Sequence, residues 1–532
     1  MKRIRNKRIL SAILVIFMCI SLLLMSCGQT DEPIGGDSLS VDTALDAPPT
    51  EYGSANGGGA IKPPESGGAS CFETGGSKMD GEKTDDIKPN DKELPTHVTE
   101  KWGGQTLNVL VSTWNGDIWS QAELTVDNEN FDRSAGYGEI INNAVILRNQ
   151  HIKEKYGVSV NWINARSSQI QSLLMEVGAT GNQKYHIAMP RACEAQGLVE
   201  KGLVYDLSKS EYINLSKSYY SQAATESYTV NDITLFVAGD FSFVDEASAY
   251  VLFYNTAMLE GIDGTPEDFY TLVKEGEWTA QALASYAQLF YKNVGAPAWT
   301  DDDIYGFGTQ GMVQFYGYAG VKQVSVENKQ YKLFESHPYF GDIVESVLEI
   351  KSETWSRTKW EMDPIDAFMD GRIAFYNAPL GEIVQFGEQR EAFGVGILPS
   401  PMIGQGQTEH YALAGKATVL VCVPKSTQDR EMSEAFVEIL AMTGQEIMTP
   451  AYIENIKSYL DPTVAEQSIE VLTDCVFDGI IYDQGYINDT FTEAFELKYA
   501  GYSGIMPDYT PLIEAATEEV NNWNKSWFNY TE

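Results

Sequence analysis

The sequence predicts an α/β fold. Three observations carry that expectation: apolar runs of strand length alternate with helical patterns from residue 107 onward, glycine or proline closes several of them, and the chain of 532 residues exceeds what one hydrophobic core usually holds. The first strand is expected over 107–111, where Leu107, Val109, Leu110 and Val111 form an apolar run. A helix is expected over 139–156, because Ile140, Ile141, Ala144, Val145, Leu147 and Ile152 recur at helical spacing and Gly157 supplies a stop. A strand over 158–163, a helix over 170–177 and a strand over 186–189 complete a strand-helix-strand-helix-strand order. That order implies a parallel sheet, with ligands favoured at the carboxyl ends of its strands. Further on, 250–254 reads as a strand, and Thr279 can cap a helix through Leu283, Tyr286, Ala287 and Phe290. Residues 415–424 form an apolar strand closed by Pro424, residues 430–442 an amphipathic helix, and the chain from Ser468 is helical in pieces. The expected body is therefore two α/β lobes.

The N-terminus sets the compartment. Lys2, Arg3, Arg5, Lys7 and Arg8 precede an apolar run from Ile9 to Met25, which ends at Ser26-Cys27-Gly28. This is the pattern of a secretion signal. Leu24, Met25, Ser26 and Cys27 resemble the lipobox of bacterial lipoproteins, with Met25 bulkier than the residue usual there. The resemblance implies cleavage after residue 26, diacylation of Cys27 and anchoring in the bilayer by two chains. The rival is an uncleaved signal-anchor helix, since the run approaches spanning length. Both put the remainder outside the cytoplasmic membrane, and the expected location is the outer face of a bacterial cytoplasmic membrane.

Residues 27–103 are rich in Gly, Ser, Pro, Asp and Lys, as in Ser54-Ala-Asn-Gly-Gly-Gly-Ala60. Such a segment buries too little apolar surface to offset its ordering entropy. A flexible tether of roughly 70 residues has an r.m.s. span of about 45 Å, enough for a body at 104–532 to reach a neighbouring membrane protein.

The formal charge is −38, with no clustered Lys/Arg stripe. A surface this negative repels nucleic acid and anionic headgroups, so no nucleic-acid partner is expected. The six cysteines make no disulfide framework and show no zinc-ligand spacing. Gly306-Phe-Gly-Thr-Gln-Gly311 matches a dinucleotide fingerprint, but it follows Asp301-Asp-Asp303, and Gly317 and Gly320 make a poor phosphate-capping helix. Asp127, Glu129 and Asp132, or Asp301 to Asp303, lack the ligand order of a calcium loop. No cofactor and no metal are expected.

Several short pieces, in order, carry a resemblance to a known family. Val251-Leu-Phe-Tyr-Asn-Thr-Ala-Met-Leu259, Thr265-Pro266 with Glu277-Trp278-Thr279, Ala367-Phe-Met-Asp-Gly-Arg-Ile-Ala-Phe-Tyr376, Phe393-Gly-Val-Gly-Ile-Leu-Pro-Ser-Pro401 and Ala435-Phe-Val-Glu-Ile-Leu440 are similar to the extracellular solute-binding proteins of ABC importers, the group that includes maltodextrin-binding proteins. The Thr of the second piece follows the Trp, where the family writes it before. The resemblance implies a two-lobed periplasmic-binding-protein-like II fold, each lobe a mixed sheet flanked by helices, with crossing strands between them and hinge closure over a solute. On this map lobe one comprises 104–250 and 372–421, and lobe two 251–371 and 422–532. The implied partners are a small solute, expected to be a carbohydrate, and an ABC permease; a monomer that is not an enzyme is expected.

Sugar recognition uses flat apolar faces and a few convergent polar groups. Trp114 and Trp119 flank Asn115, Gly116 and Asp117 just after the first strand, where the family puts ligand contacts, so Trp114, Asp117 and Trp119 are candidates. Arg191 stands at a similar strand end, and Asp245 precedes the crossing strand. Phe315, Tyr316, Asn377 and Tyr411 are placed near the cleft by the resemblance alone. The rival function is a lipid-anchored glycoside hydrolase, because 75 acidic residues permit two carboxylates to face a sugar.

Overall fold

The computed structural model describes residues 98–113, 138–166, 169–180, 185–260, 266–294, 302–309, 313–334, 356–358, 364–386, 393–404, 406–484 and 510–531, with single positions 343, 346 and 350. All belong to one compact unit, Asn90–Glu532; the other, Met1–Pro89, holds the expected leader, Cys27 and most of the expected tether and lies outside the described residues.

The chain enters through helix α1 (Val98–Trp102) into β1 (Thr106–Thr113), helix α2 (Gly138–Tyr156), β2 (Ser159–Arg166), helix α3 (Ile170–Thr180) and β3 (Ile187–Met189). Helix α2 buries Ile141, Ala144, Val145, Arg148, Ile152 and Tyr156, one stripe at helical spacing. Gly157 ends it at φ +70, a left-handed conformation that glycine alone adopts without strain, and donates its N–H to the Lys153 carbonyl at 3.0 Å. The three strands pair in the order β2-β1-β3, all parallel, with Thr106 to Thr113 of β1 matched one to one with Ser159 to Arg166.

After helix α4 (Ala195–Glu200), helix α5 (Gln222–Ser227) and the small hairpin β4 (Thr229–Val230) and β5 (Ile233–Thr234), helix α6 (Val244–Ser248) leads into a second sheet. Its strands are β6 (Tyr250–Asn255), β7 (Tyr305–Thr309), β10 (Ser356–Thr358), β11 (Ile373–Pro379) and β12 (Val395–Pro399). The order is β10-β7-β11-β6-β12, with β6 antiparallel to both neighbours and the β10, β7 and β11 pairings parallel. Both faces are covered. Val251, Phe253, Tyr376 and Ile397 enter one apolar cluster, shared with the first sheet, while Leu252, Tyr254, Phe375 and Leu398 enter another. In the latter, Phe375 meets Phe269, Trp278 and Phe290 with ring centroids 5.7, 6.3 and 6.2 Å away.

Helix α7 (Pro266–Lys274) and helix α8 (Ala280–Ala287) flank this sheet, the hairpin β8 (Val324–Glu327) and β9 (Gln330–Leu333) follows β7, and β13 (Ala412–Leu413) pairs with β14 (Ile480–Ile481). Thr279 caps α8 as expected, accepting from the Ala282 N–H at 3.2 Å. Gly306 and Gly308 of the 306–311 match sit in the buried strand β7, and Gly311 lies outside the described residues: a Cβ at Gly306 would overlap the Ala287 carbonyl oxygen, so that glycine lets the end of α8 approach the sheet.

Two sets of contacts bear on the expected boundaries. The body begins before residue 104, because Trp102 is only 1% exposed, donates its indole N–H to Asp429 at 3.1 Å, and lies edge-on to Tyr212 and Phe436. A lone Trp in polar sequence shows no periodicity, and its partners lie far along the chain. The strand pairings bear on the lobe partition. Segments β11 and β12, mapped to lobe one within 372–421, hydrogen-bond to β6 and β7 and belong to the second sheet. The first sheet is instead met by 419–424, through bridges Ala188↔Cys422, Arg191↔Val419, Val237↔Val421 and Val204↔Pro424. Helix α9 (Arg430–Thr443), mapped to lobe two, sets Phe436 edge-on to Trp102 and to Tyr156 of α2, which places it with the first sheet.

Candidate functional site

The carboxyl ends of the parallel strands are where an open α/β sheet leaves room for a ligand. In the first sheet β1 ends at Thr113; Trp114, Asp117 and Trp119, which follow it in sequence, lie outside the described residues. Arg191, two residues beyond β3, is 2% exposed. Its Nε donates to the Ser112 carbonyl at 3.0 Å and its Nη1 to the Ala417 carbonyl at 2.7 Å, so the guanidinium ties β1 to the returning segment. The Arg191 backbone N–H is held by the Glu194 carboxylate at 2.8 Å, and burial pushes that carboxyl up to about 7.

In the second sheet the corresponding edge is polar and sealed. Asn377, on β11, is fully buried. Its Oδ1 lies 3.3 Å from Thr309 Oγ1, 3.4 Å from Gln314 Nε2 and 2.9 Å from the Tyr318 hydroxyl, and its Nδ2 donates to the Val251 carbonyl at 3.0 Å. Phe315 packs inside, with ring centroids 6.2 Å from Phe307 and 4.9 Å from Tyr318. Tyr316 is also buried; it donates to Asp483 at 3.2 Å and accepts from Gln323 Nε2 at 3.0 Å. Tyr411 is half-buried and donates to Glu409 at 3.1 Å. The fold thus brings Phe315 and Asn377 together through Tyr318 and turns both, with Tyr316, into the interior. Thr309, Gln314 and Tyr318 carry no motif; the one local hint is their place at the end of β7 and in the aromatic, glycine-rich stretch that follows it.

Between the sheets the chain passes from α6 into β6, and Asp245 sits there. It is buried, and its Oδ2 accepts the Tyr482 hydroxyl at 2.6 Å. Ser248 accepts from the Gly415 N–H at 2.8 Å and lies 3.3 Å from the Thr418 hydroxyl. Nearby, Asp240 accepts from Gln445 at 3.0 Å and from Thr449 at 2.6 Å. Burial pushes Asp240 up to about 6 and raises Asp245 and Glu246, the last further raised by the Asp245 charge.

These shifts give a pH dependence. Raised carboxyls hold protons in the folded chain that the unfolded chain has already released, so stability falls as pH rises through the window from about 4 to about 6 and stays lower above it. Calorimetry at pH 5 and pH 7.5 is expected to show the higher Tm at pH 5. Asp240→Asn is expected to recover about 1–3 kcal/mol at pH 7.5 and about half as much at pH 5. A variant no more stable than the wild-type chain at pH 7.5 contradicts this account.

A cavity of about 260 Å3 opens between the end of α5 and the β8–β9 hairpin. Glu226 and Ser227 line one side, and Lys322, Ser325 and Phe334 the other. Among the described residues, no three His, Cys, Asp or Glu side chains are placed to hold a metal ion, and no helix is long and apolar enough to cross a membrane.

No curated protein matches the chain. Among solved structures, similarity extends to an ABC substrate-binding protein from Listeria monocytogenes in complex with cycloalternan, at 14% identity over 80% of this chain and 99% of that one, TM-score 0.45. A maltose/maltodextrin-binding domain from Bdellovibrio bacteriovorus bound to maltotriose is similar at 10% identity over 80% and 99%, TM-score 0.45. An ABC transporter solute-binding protein from Thermotoga lettingae bound with α-D-tagatose is similar at 14% over 79% and 100%, TM-score 0.45. The sequence model of one family, bacterial extracellular solute-binding protein, matches residues 150–466. That span takes in the end of α2, both sheets from β2 onward, the Asp245 crossing and the Asn377 network, and with more than half of its length so matched this chain belongs to the bacterial extracellular solute-binding protein family.

Proposed function

We propose that the chain is the solute-binding subunit of an ABC importer, held at the outer face of the cytoplasmic membrane through lipidated Cys27, and that it captures a carbohydrate and delivers it unaltered to the permease. The observation that carries this reading is the crossing region. The passage from α6 into β6 and the segments near Gly415 and Tyr482 are cross-linked by single side-chain bonds: Gly415 to Ser248 at 2.8 Å, Ser248 to Thr418 at 3.3 Å and Tyr482 to Asp245 at 2.6 Å. Short passages of this kind between two sheets can absorb a change in dihedral angles while each sheet stays rigid, as hinge closure over a solute requires. The Trp114, Asp117 and Trp119 stretch, next in sequence to the carboxyl end of β1, is proposed to supply stacking and hydroxyl contacts. Arg191 and Asp245 are proposed to hold the walls of the cleft in place.

The test is a thermal-shift screen of the full-length chain against monosaccharides and oligosaccharides, with product analysis after incubation. A solute at 100 times its Kd adds about 2.7 kcal/mol of stability, which raises Tm measurably, and the sugar is expected back intact. A screen in which peptides or other metabolites raise Tm and no sugar does would end the carbohydrate assignment. Cleaved sugar would favour a glycoside hydrolase.

A further inference from the structure

We propose that Lys322, in the cavity between α5 and the β8–β9 hairpin, is a site of reversible covalent capture of a small neutral aldehyde, held as an imine on the lysine amine. This site is separate from the solute reading above and stands or falls without it. At about 260 Å3 the space is below the roughly 300–1,000 Å3 of sites that take drug-sized ligands, so it suits a compound of a few heavy atoms.

Both walls of the cavity are fixed in the same apolar cluster. Ala224 and Tyr228 enter it on either side of Glu226 and Ser227, and Val324 and Tyr331 enter it from the hairpin. The base of the hairpin is closed by the Phe334 N–H, which donates to the Gln323 carbonyl at 2.7 Å. The amine therefore stands on a fixed frame, which holds a nucleophile in place for attack. Val326 and Phe334 offer apolar surface to the alkyl part of the aldehyde.

The nitrogen is open on the cavity side. Among the described residues, Lys322 Nζ makes one hydrogen bond, donating to Ser227 Oγ at 3.2 Å. Ser227 gives its own proton to the Tyr482 carbonyl at 3.0 Å, so toward Lys322 it can only accept. No donor among the described residues therefore covers the lone pair of the neutral amine. Burial lowers the pKa of Lys322, against the raising charges of Glu226 and Asp483, so more of it is neutral near pH 7 than of an exposed lysine.

Charge selects the product. Glu226 is exposed at the rim, and Asp483, whose charge also reaches Lys322, accepts from the N–H groups of Gln323 at 2.7 Å and Val324 at 3.0 Å and from Tyr316 at 3.2 Å. An iminium keeps the positive charge that these carboxylates face, whereas a carbamate from carbon dioxide would set another negative charge among them. An aldehyde that carries a carboxylate is disfavoured for the same reason. The neutral nitrogen attacks the carbonyl carbon, and a proton passes from nitrogen to oxygen to give a carbinolamine. Glu226 takes a proton from solvent and delivers it to the hydroxyl; the C–O bond breaks, water leaves, and the nitrogen lone pair closes the C=N bond. One amine, one aldehyde and one proton become one iminium and one water, with no change of oxidation state.

The test incubates the full-length chain at pH 7 with propanal or glyoxylate and sodium cyanoborohydride, which reduces each imine to a stable amine, and follows the lysines by mass spectrometry. Propanal is expected to label Lys322 about tenfold or more faster than the exposed Lys209 and Lys329, the margin that a tenfold larger share of neutral amine gives. Glyoxylate is expected to lose most of that preference. Glu226→Gln is expected to slow labelling of Lys322 and to leave Lys209 unchanged. The wild-type rates carry the comparison, so no variant has to fold for the site to be judged. Equal propanal rates at Lys322, Lys209 and Lys329 overturn the site, and an undiminished preference with glyoxylate overturns the choice of a neutral compound.

Discussion

Trp102→Ala is expected to destabilise the folded body by about 3–5 kcal/mol, the range for emptying a buried Trp site. The side chain joins three distant segments. Its indole N–H meets Asp429, the residue that also caps α9 by accepting from the Met432 N–H at 2.9 Å. Its ring lies 6.1 Å from Tyr212 and 6.4 Å from Phe436, centroid to centroid. Alanine leaves a cavity among these groups and removes one partner of the capping carboxylate. Guanidinium unfolding of the full-length chain measures the loss, and deletion of residues 98–102 is expected to cost at least as much. A loss under about 1 kcal/mol would show that α1 only rests on the surface and that residue 104 was the right boundary after all.

Asn377→Leu is expected to cost about 3 kcal/mol or more. The substitution is close in shape but apolar, and it withdraws one shared partner from Thr309, Gln314, Tyr318 and the Val251 carbonyl at once. A buried polar group deprived of its partner costs about 1–3 kcal/mol, partly recovered where neighbours rearrange. Tyr318→Phe removes the 2.9 Å bond to Asn377 and is expected to cost about 1 kcal/mol. The double variant is expected to fall short of the sum, since both changes break the same contact. Thermal unfolding of the three variants decides it. If Asn377→Leu unfolds within a degree or two of the wild-type chain, the network is not a stability determinant.

Both effects come from contacts between residues far apart in sequence, and that separates what could be read from what could not. The helix expected over 139–156 forms at Gly138–Tyr156, the strand over 250–254 at Tyr250–Asn255, and the helix over 430–442 at Arg430–Thr443. In each, the periodicity that revealed the element is the same one that buries its face, so the information is local. The strand over 415–424 was half right. Residues 419–424 join the first sheet through isolated bridges, because their partners at Ala188, Arg191, Val204 and Val237 come from separate stretches.

The site was less legible than the fold. Asn377 and Phe315 were named through a family resemblance, and the structure sets both in the interior around Tyr318, a residue that no motif marked. Arg191 sits at the expected strand end, yet the carbonyls of Ser112 and Ala417 hold its guanidinium. Lys322 carries no signature in sequence; the fold alone brings its amine to 3.2 Å from Ser227.

By itself the sequence determined the α/β class, the positions of several helices and strands and, through ordered short motifs, the kinship with solute-binding proteins, since all of these are written in spacings of a few residues. Tertiary structure alone decided which strands share a sheet, where the body begins, and which side chains face a cavity and which are spent on backbone carbonyls. Those outcomes depend on long-range pairing and packing, in which a residue's environment is set by partners dozens to hundreds of positions away, and no local pattern records them.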